Sequence, residues 1–259
     1  MLLYKSWIDA IKKCLEIREH LKSSVLSLDP KQLFYDVKDV YSYFTPSLLF
    51  WDPISLALRN KPIFCPEHGS ELEATHRWLD SNTDNSRQPR ILIDNSGPKL
   101  LIPRIFKCRL GDHEIRTTND VLLKQCGTNA NEIIITHKGA FKAEFVNSLC
   151  QYLASGLSFP QMVELLRGQS KSNFDIQKQK YKQDCLLQNV KPDNQNLESI
   201  LHAILGMLPS VDAIEDLFKA WFRLNKTLYT DSMKSLPTKV LTIDHTFKVS
   251  QGVLFLGDH

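Results

Sequence analysis

Two short pairs of soft ligands carry the most specific chemistry in the sequence. Cys65 and His68 stand in Phe64-Cys65-Pro66-Glu67-His68-Gly69, and Cys108 and His113 in Phe106-Lys107-Cys108-Arg109-Leu110-Gly111-Asp112-His113. Zinc takes four such ligands tetrahedrally, and a ribbon supplies them as two knuckles brought together by strands. A set closed by four protein ligands is a structural centre rather than a catalytic one. Gly69 after the first pair and Gly111 inside the second let the backbone turn tightly enough for amides to approach a thiolate. His76 is an alternative to His68. The plainer reading is two surface histidines and two buried cysteines that never meet.

The remaining candidates carry weaker signals. Cys14, Cys126, Cys150 and Cys185 lack such partners and read as small core residues. His137 and His202 read as satisfied or solvent-facing imidazoles. Lys171, Lys178, Lys180 and Lys182 lie in a run rich in glutamine and poor in apolar residues. They are candidates for contact with nucleic-acid phosphates, although solvated charge runs are common. Serine, histidine and aspartate are scattered, and the glycines never cluster as a phosphate-cradling or dinucleotide loop requires. A small-molecule substrate is not expected.

Composition sets the bounds. A chain of 259 residues with 42% hydrophobic content can bury a core and hold two or more modest domains. Lysine and arginine outnumber acids by only 32 to 29, so a basic surface must be local. No apolar run of about 18 residues occurs, and Lys5 interrupts the place of a signal-peptide core. Six dispersed cysteines in a chain of this size point to a reducing compartment. The expectation is a nuclear or otherwise intracellular protein without a membrane partner.

These residues need elements to position them. Apolar steps of three and four predict a helix over 6–27, followed by an aromatic stretch, 34–58, interrupted by Pro46 and Pro53. Runs at 90–94 and 99–106 flank Asn95-Ser96-Gly97-Pro98, a hairpin signal between the two ligand pairs. Helical periodicity returns over 119–126, 140–155 and 158–167, with Gly156 ending one helix and Ser158 capping the next. The segment 167–196 reads as an exposed basic helix or linker, 197–229 as amphipathic helix, and 239–244 and 252–256 as strands.

The predicted fold class is therefore α+β and mostly helical. It comprises an N-terminal helical and aromatic segment (1–60), a small zinc-ribbon-like β-hairpin module (61–118), a multi-helix region (119–235) and a C-terminal β-hairpin stub (236–259). The joint at 154–158 suits a helix-turn-helix. The second helix, however, is mostly apolar, which favours packing over base reading.

Taken together, Phe50-Trp51-Asp52-Pro53, the first knuckle, Trp78, Pro89-Arg90-Ile91-Leu92-Ile93-Asp94, Phe106-Lys107-Cys108, Gly156-Leu157-Ser158-Phe159 and Ile243-Asp244-His245-Thr246-Phe247-Lys248 resemble a family of transposon-derived proteins of eukaryotes. In that family a cysteine-rich ribbon and helices precede a ribonuclease-H-like transposase core, and the first knuckle more commonly pairs two cysteines. The resemblance spans most of 45–250. It implies DNA as a partner, with self-association as a further partner class. It also implies that Asp244 corresponds to the first catalytic carboxylate of a core that holds Mg2+ between several carboxylates. Only 15 residues follow Asp244, so the chain is expected to be a catalytically incomplete front portion. Two other functions compete: a protein-interaction module without DNA binding, and a metal-dependent nuclease in its own right.

Overall fold

In the computed structural model, residues 2–21, 25–34, 36–52, 62–78, 90–111, 113–126 and 132–235 are described. The chain is α+β, with roughly half of these residues in helices and one mixed sheet that curls along its longest strand. The strand pair expected at 239–256 lies outside the described residues.

The long strand is β5, Gly97–Cys108, and it organises everything around it. Its first half pairs in parallel with β2 (Leu48–Trp51) on one side and antiparallel with β4 (Arg90–Asp94) on the other. Its second half pairs antiparallel with β3 (Leu72–Trp78) and β6 (Glu114–Arg116). The exchange of partners falls at Pro103, opposite Trp51, and Arg104, opposite Trp78. A residue with no N–H to give suits such a break in the ladder. Beyond these, β1 (Val25–Leu28) extends the sheet at β2, and β8 (Ala140–Lys142) and β7 (Ile133–Ile135) extend it at β4.

Alternation decides which face each strand residue covers. Leu48, Phe50, Leu100 and Ile102 face helix α1 (Leu2–Leu21), through its Ile11 and Cys14. Leu49, Trp51 and Leu101 point the other way, into a cluster with Ile63, Leu72, Phe106, Ile115 and the thiols of Cys65 and Cys108. That cluster is completed by Leu122 and Leu123 of α3 (Asp120–Cys126). The Phe50-Trp51-Asp52 segment thus has a packing role: two aromatics serve opposite faces, and Asp52, fully buried, meets Arg104 Nη1 at 2.8 Å.

The helices follow the same logic. Ile93, Ile134 and Phe141 of the sheet pack on α4 (Ala143–Ala154), the start of α5 (Phe159–Leu187) and α7 (Val211–Ser235). Tyr43 and Phe44, in a 3-10 helix over Val40–Phe44, pack on Phe174, Tyr181 and Cys185 of α5 and on α6 (Leu197–Gly206). The aromatic stretch therefore divides between a helix face and the sheet.

Of the two readings of the segment after 167, helix or linker, the helix holds through Leu187: α5 runs unbroken for 29 residues. Ser158 begins it, its amide donating to Gln161 Oε1 at 2.8 Å, and Gly156 with φ +86° closes α4. Ser170, Phe174, Tyr181 and Cys185, at helical spacing, supply a buried stripe narrow enough for polar residues to mask it in sequence. The first turns of α5 bury Met162, Val163 and Leu166, so the second helix of the expected helix-turn-helix packs against the core.

One helical stretch, Leu197–Lys226, has the length and apolarity to cross a membrane. It is broken between α6 and α7, and Leu197, Ile200, Ile214 and Leu217 within it are core residues.

Candidate metal centre

Both ligand pairs sit at one end of the β3–β5–β6 ladder. Leu72, at the start of β3, is opposite Cys108, the last residue of β5, and Lys107 is opposite Glu114, which follows His113. The first knuckle is a closed turn: Cys65 N–H donates to Ser70 O at 2.7 Å, Gly69 N–H to Cys65 O at 2.9 Å, and Leu72 N–H to Ile63 O at 2.7 Å. Gly69 adopts φ +62°, where a β-carbon is disfavoured. The second knuckle closes through Cys108 N–H to His113 O at 3.0 Å.

The closure brings four donor atoms together. Those of Cys65, His68, Cys108 and His113 lie within 4.8 Å of one another, a group that could hold a metal ion. Cys65 Sγ is 3.6 Å from His68 Nδ1 and 3.4 Å from His113 Nε2, and Cys108 Sγ is 3.7 Å from His68 Nδ1. Sulfur at ~2.3 Å and nitrogen at ~2.1 Å from a tetrahedral ion stand about 3.6 Å apart, so these three edges have the required length. Both thiols are buried in the core, whereas His68 is exposed and His113 partly so.

Neighbouring groups favour the ligand forms. The Ser70 hydroxyl lies 3.2 Å from Cys108 Sγ, and the Gly111 amide donates to that sulfur at 3.3 Å. Ser70 is the leading cause that draws the Cys108 thiol down from 9.0 to about 6; burial opposes it, and the amides of Gly111 and Leu110 and the Cys65 thiol assist. The outer nitrogen of His113, Nδ1, is 3.4 Å from Gly111 O, a contact that leaves Nε2 directed at Cys65. Glu67 Oε2 lies 3.8 Å from the same Nε2. Gly111 packs directly on both rings: a β-carbon there would sit 2.5 Å from His113 Nδ1 and 2.5 Å from His68 Cε1, so the imidazoles would have to shift.

The other expected site residues are dispersed. His76 belongs to β3, its side chain outside the described residues, as is Asp244 entirely. At ~100° per residue, Lys171, Lys178 and Lys182 share one edge of α5 with Asp175, and Lys180 falls on the opposite edge. Cys14 and Cys185 are buried and Cys150 is half-buried. His137, exposed, approaches Asp216 Oδ2 at 3.7 Å. Sequence reading missed Ser70, since a serine two positions beyond a histidine carries no signal of its own.

The class defined so far is an α+β protein with a Cys2His2 group suited to a metal. Comparison with protein-family models, curated proteins and solved structures returns no match to this chain in any of the three.

Proposed function

We propose that the Cys65, His68, Cys108 and His113 centre binds Zn2+ as a structural ion, forming a zinc ribbon, and that the chain is the DNA-binding front portion of a transposon-derived, transposase-like protein. The convergence of four donor atoms within 4.8 Å carries the metal reading. Two thiolates and two imidazoles select zinc over oxygen-seeking Mg2+ or Ca2+. With four protein ligands the ion keeps no open position, so it holds the knuckles and generates no nucleophile. Because Cys65 and Cys108 belong to the cluster that also contains Trp51 and Leu101, the ion secures the sheet's hub as well as the turn.

The DNA reading draws on the family resemblance and on Lys171, Lys178 and Lys182, which follow one edge of a rigid helix. Such an edge suits phosphate contact rather than base reading. The nuclear setting is part of the same reading. On the same resemblance, Asp244 corresponds to the first carboxylate of a Mg2+-holding core.

A second reading, protein interaction, is favoured by Leu186 and Leu187, 73% and 82% exposed at the end of α5. Elemental analysis of purified chain tests the metal: one zinc per chain is expected, and its stripping by a chelator should loosen the near-ultraviolet dichroism of Trp51. A metal-free protein with unchanged tertiary structure would reject the reading. Binding to duplex DNA that weakens with salt separates the two functional alternatives.

A further inference from the structure

A cleft of about 120 Å3 opens between α2 (Pro30–Phe34), the turn joining β4 to β5, and the middle of α5. None of the four metal ligands lines it. Its polar lining includes Lys31, Lys99, Asn173 and Gln177 beside three serines, Ser47, Ser96 and Ser170, and no carboxylate lines it. That volume is on the order of four waters at ~30 Å3 each, enough for a small polyatomic ion.

The donors are differently engaged. Lys99 Nζ meets Asp94 Oδ2 at 2.6 Å, which leaves two of its three N–H groups. Asp94 is held further by Ser96, whose amide donates to its Oδ1 at 2.8 Å and whose hydroxyl donates to the same oxygen at 2.6 Å. Among the described residues, no group stands within hydrogen-bond or ion-pair distance of the Lys31 ammonium or of the Asn173 and Gln177 amides. Asp29 acts on Lys31 through its charge, and its Oδ1 accepts the Lys31 backbone amide at 3.1 Å. Burial, with the charge of Lys180 adding to it, draws the Lys31 ammonium below its ordinary range, while Asp29 opposes both. A partly buried cation without a paired acid gains from an anion that enters beside it.

We propose that this cleft binds a phosphate-class oxyanion, with the Lys31 ammonium as its charge partner and Lys99, Asn173 and Gln177 as further donors. Lysine provides a compact point charge, and two amides one helical turn apart provide N–H groups along one side of a tetrahedral ion. The site stands independently of DNA binding. A free phosphate or phosphate ester and a nucleic-acid phosphodiester present the same chemistry, and Lys180, further along the same edge of α5, extends the positive field outward.

Inorganic phosphate titrated into the full chain, in phosphate-free buffer, tests the site by isothermal calorimetry and by the side-chain amide resonances of Asn173 and Gln177. Saturable binding that shifts both amides is expected, with Lys31→Gln weakening it about tenfold or more. Lys31→Arg should retain most of it, and Asn173→Asp, which places a carboxylate in the cleft, should abolish it. Absence of saturable binding, or Lys31→Gln binding as tightly as wild type, overturns the proposal. Adding duplex DNA identifies the source: displacement of phosphate with the amides still shifted supports a phosphodiester, and undisturbed phosphate supports a free ligand. Failure of DNA binding by Lys178→Gln with phosphate binding intact would concern the DNA reading alone.

Discussion

Gly111 and His113 are fitted to one another: the glycine carbonyl lies 3.4 Å from His113 Nδ1, and any β-carbon at 111 would stand 2.5 Å from that same nitrogen. The contact fixes the imidazole and leaves no room for a side chain. Gly111→Ala should therefore displace both rings, because His68 Cε1 is equally close. Groups that orient metal ligands typically govern about 10- to 100-fold in affinity. A competition titration against a chromogenic chelator should show a loss in that range; unchanged affinity would mean that the rings do not hold an ion here.

Asp52 and Arg104 make the corresponding contact inside the sheet. The carboxylate is fully buried and Arg104 also donates from Nε to Thr75 O at 3.0 Å, so the guanidinium ties β2 to β3 across β5. Arg104→Met removes the guanidinium that meets this buried carboxylate at 2.8 Å, at a cost of up to about 3–5 kcal/mol. Adding Asp52→Asn to Arg104→Met should recover part of that loss. Urea unfolding midpoints measure both, and equal midpoints for the two variants would refute the coupling.

How much of this was legible follows from where each signal lay. The ligand pairs and the β4–β5 hairpin were local: Cys65, His68, Cys108 and His113 announce themselves by type and spacing, and Asn95-Ser96 form the two-residue loop between Asp94 and Gly97. The parallel pairings of β2 with β5 and of β4 with β8 were not legible, because residues so far apart in sequence leave no short-range pattern. A proline can end a strand, yet the apolar run 99–106 reads through Pro103, and β5 continues past it by changing neighbours. Only tertiary contact distinguishes that case from termination. The length of α5 was hidden similarly, since four inward residues over sixteen positions carry little periodic signal against a background of lysine and glutamine.

Acid should expose the turn at the head of β5. Burial by itself would raise the Asp94 pKa, but the Lys99 ammonium and the Ser96 hydroxyl and amide outweigh it and hold the carboxyl below its ordinary value of 3.8. The unfolded chain therefore binds a proton at higher pH than the folded one. The stabilisation from Asp94 is complete above the unfolded value and is lost as pH falls from about 4 through the lower folded pKa. Chemical denaturation of wild type and Asp94→Asn should converge as pH drops below about 4, with the wild type more stable above it. A difference independent of pH would show that the ion pair with Lys99 is not the source.

The most discriminating measurement for function is the salt dependence of duplex binding. Each phosphate neutralised by a lysine releases condensed counterion, giving a slope of about −0.9 in log affinity against log salt. If Lys171, Lys178 and Lys182 each meet one phosphate, the slope should be about −2.7, and Lys178→Gln should make it shallower by about 0.9. The geometry permits this, since Lys171 and Lys182 are eleven steps apart along α5, ~16 Å of helix. Asp175 lies between them on the same edge, so Asp175→Asn should strengthen binding without altering which lysines contribute. Lys180, facing the other way, should leave the slope unchanged when replaced by glutamine, unless the cleft at Lys31 also receives a phosphodiester, in which case Lys31→Gln removes a further ~0.9. Binding that ignores salt would assign this edge of α5 to a protein partner, with Leu186 and Leu187 as its apolar end.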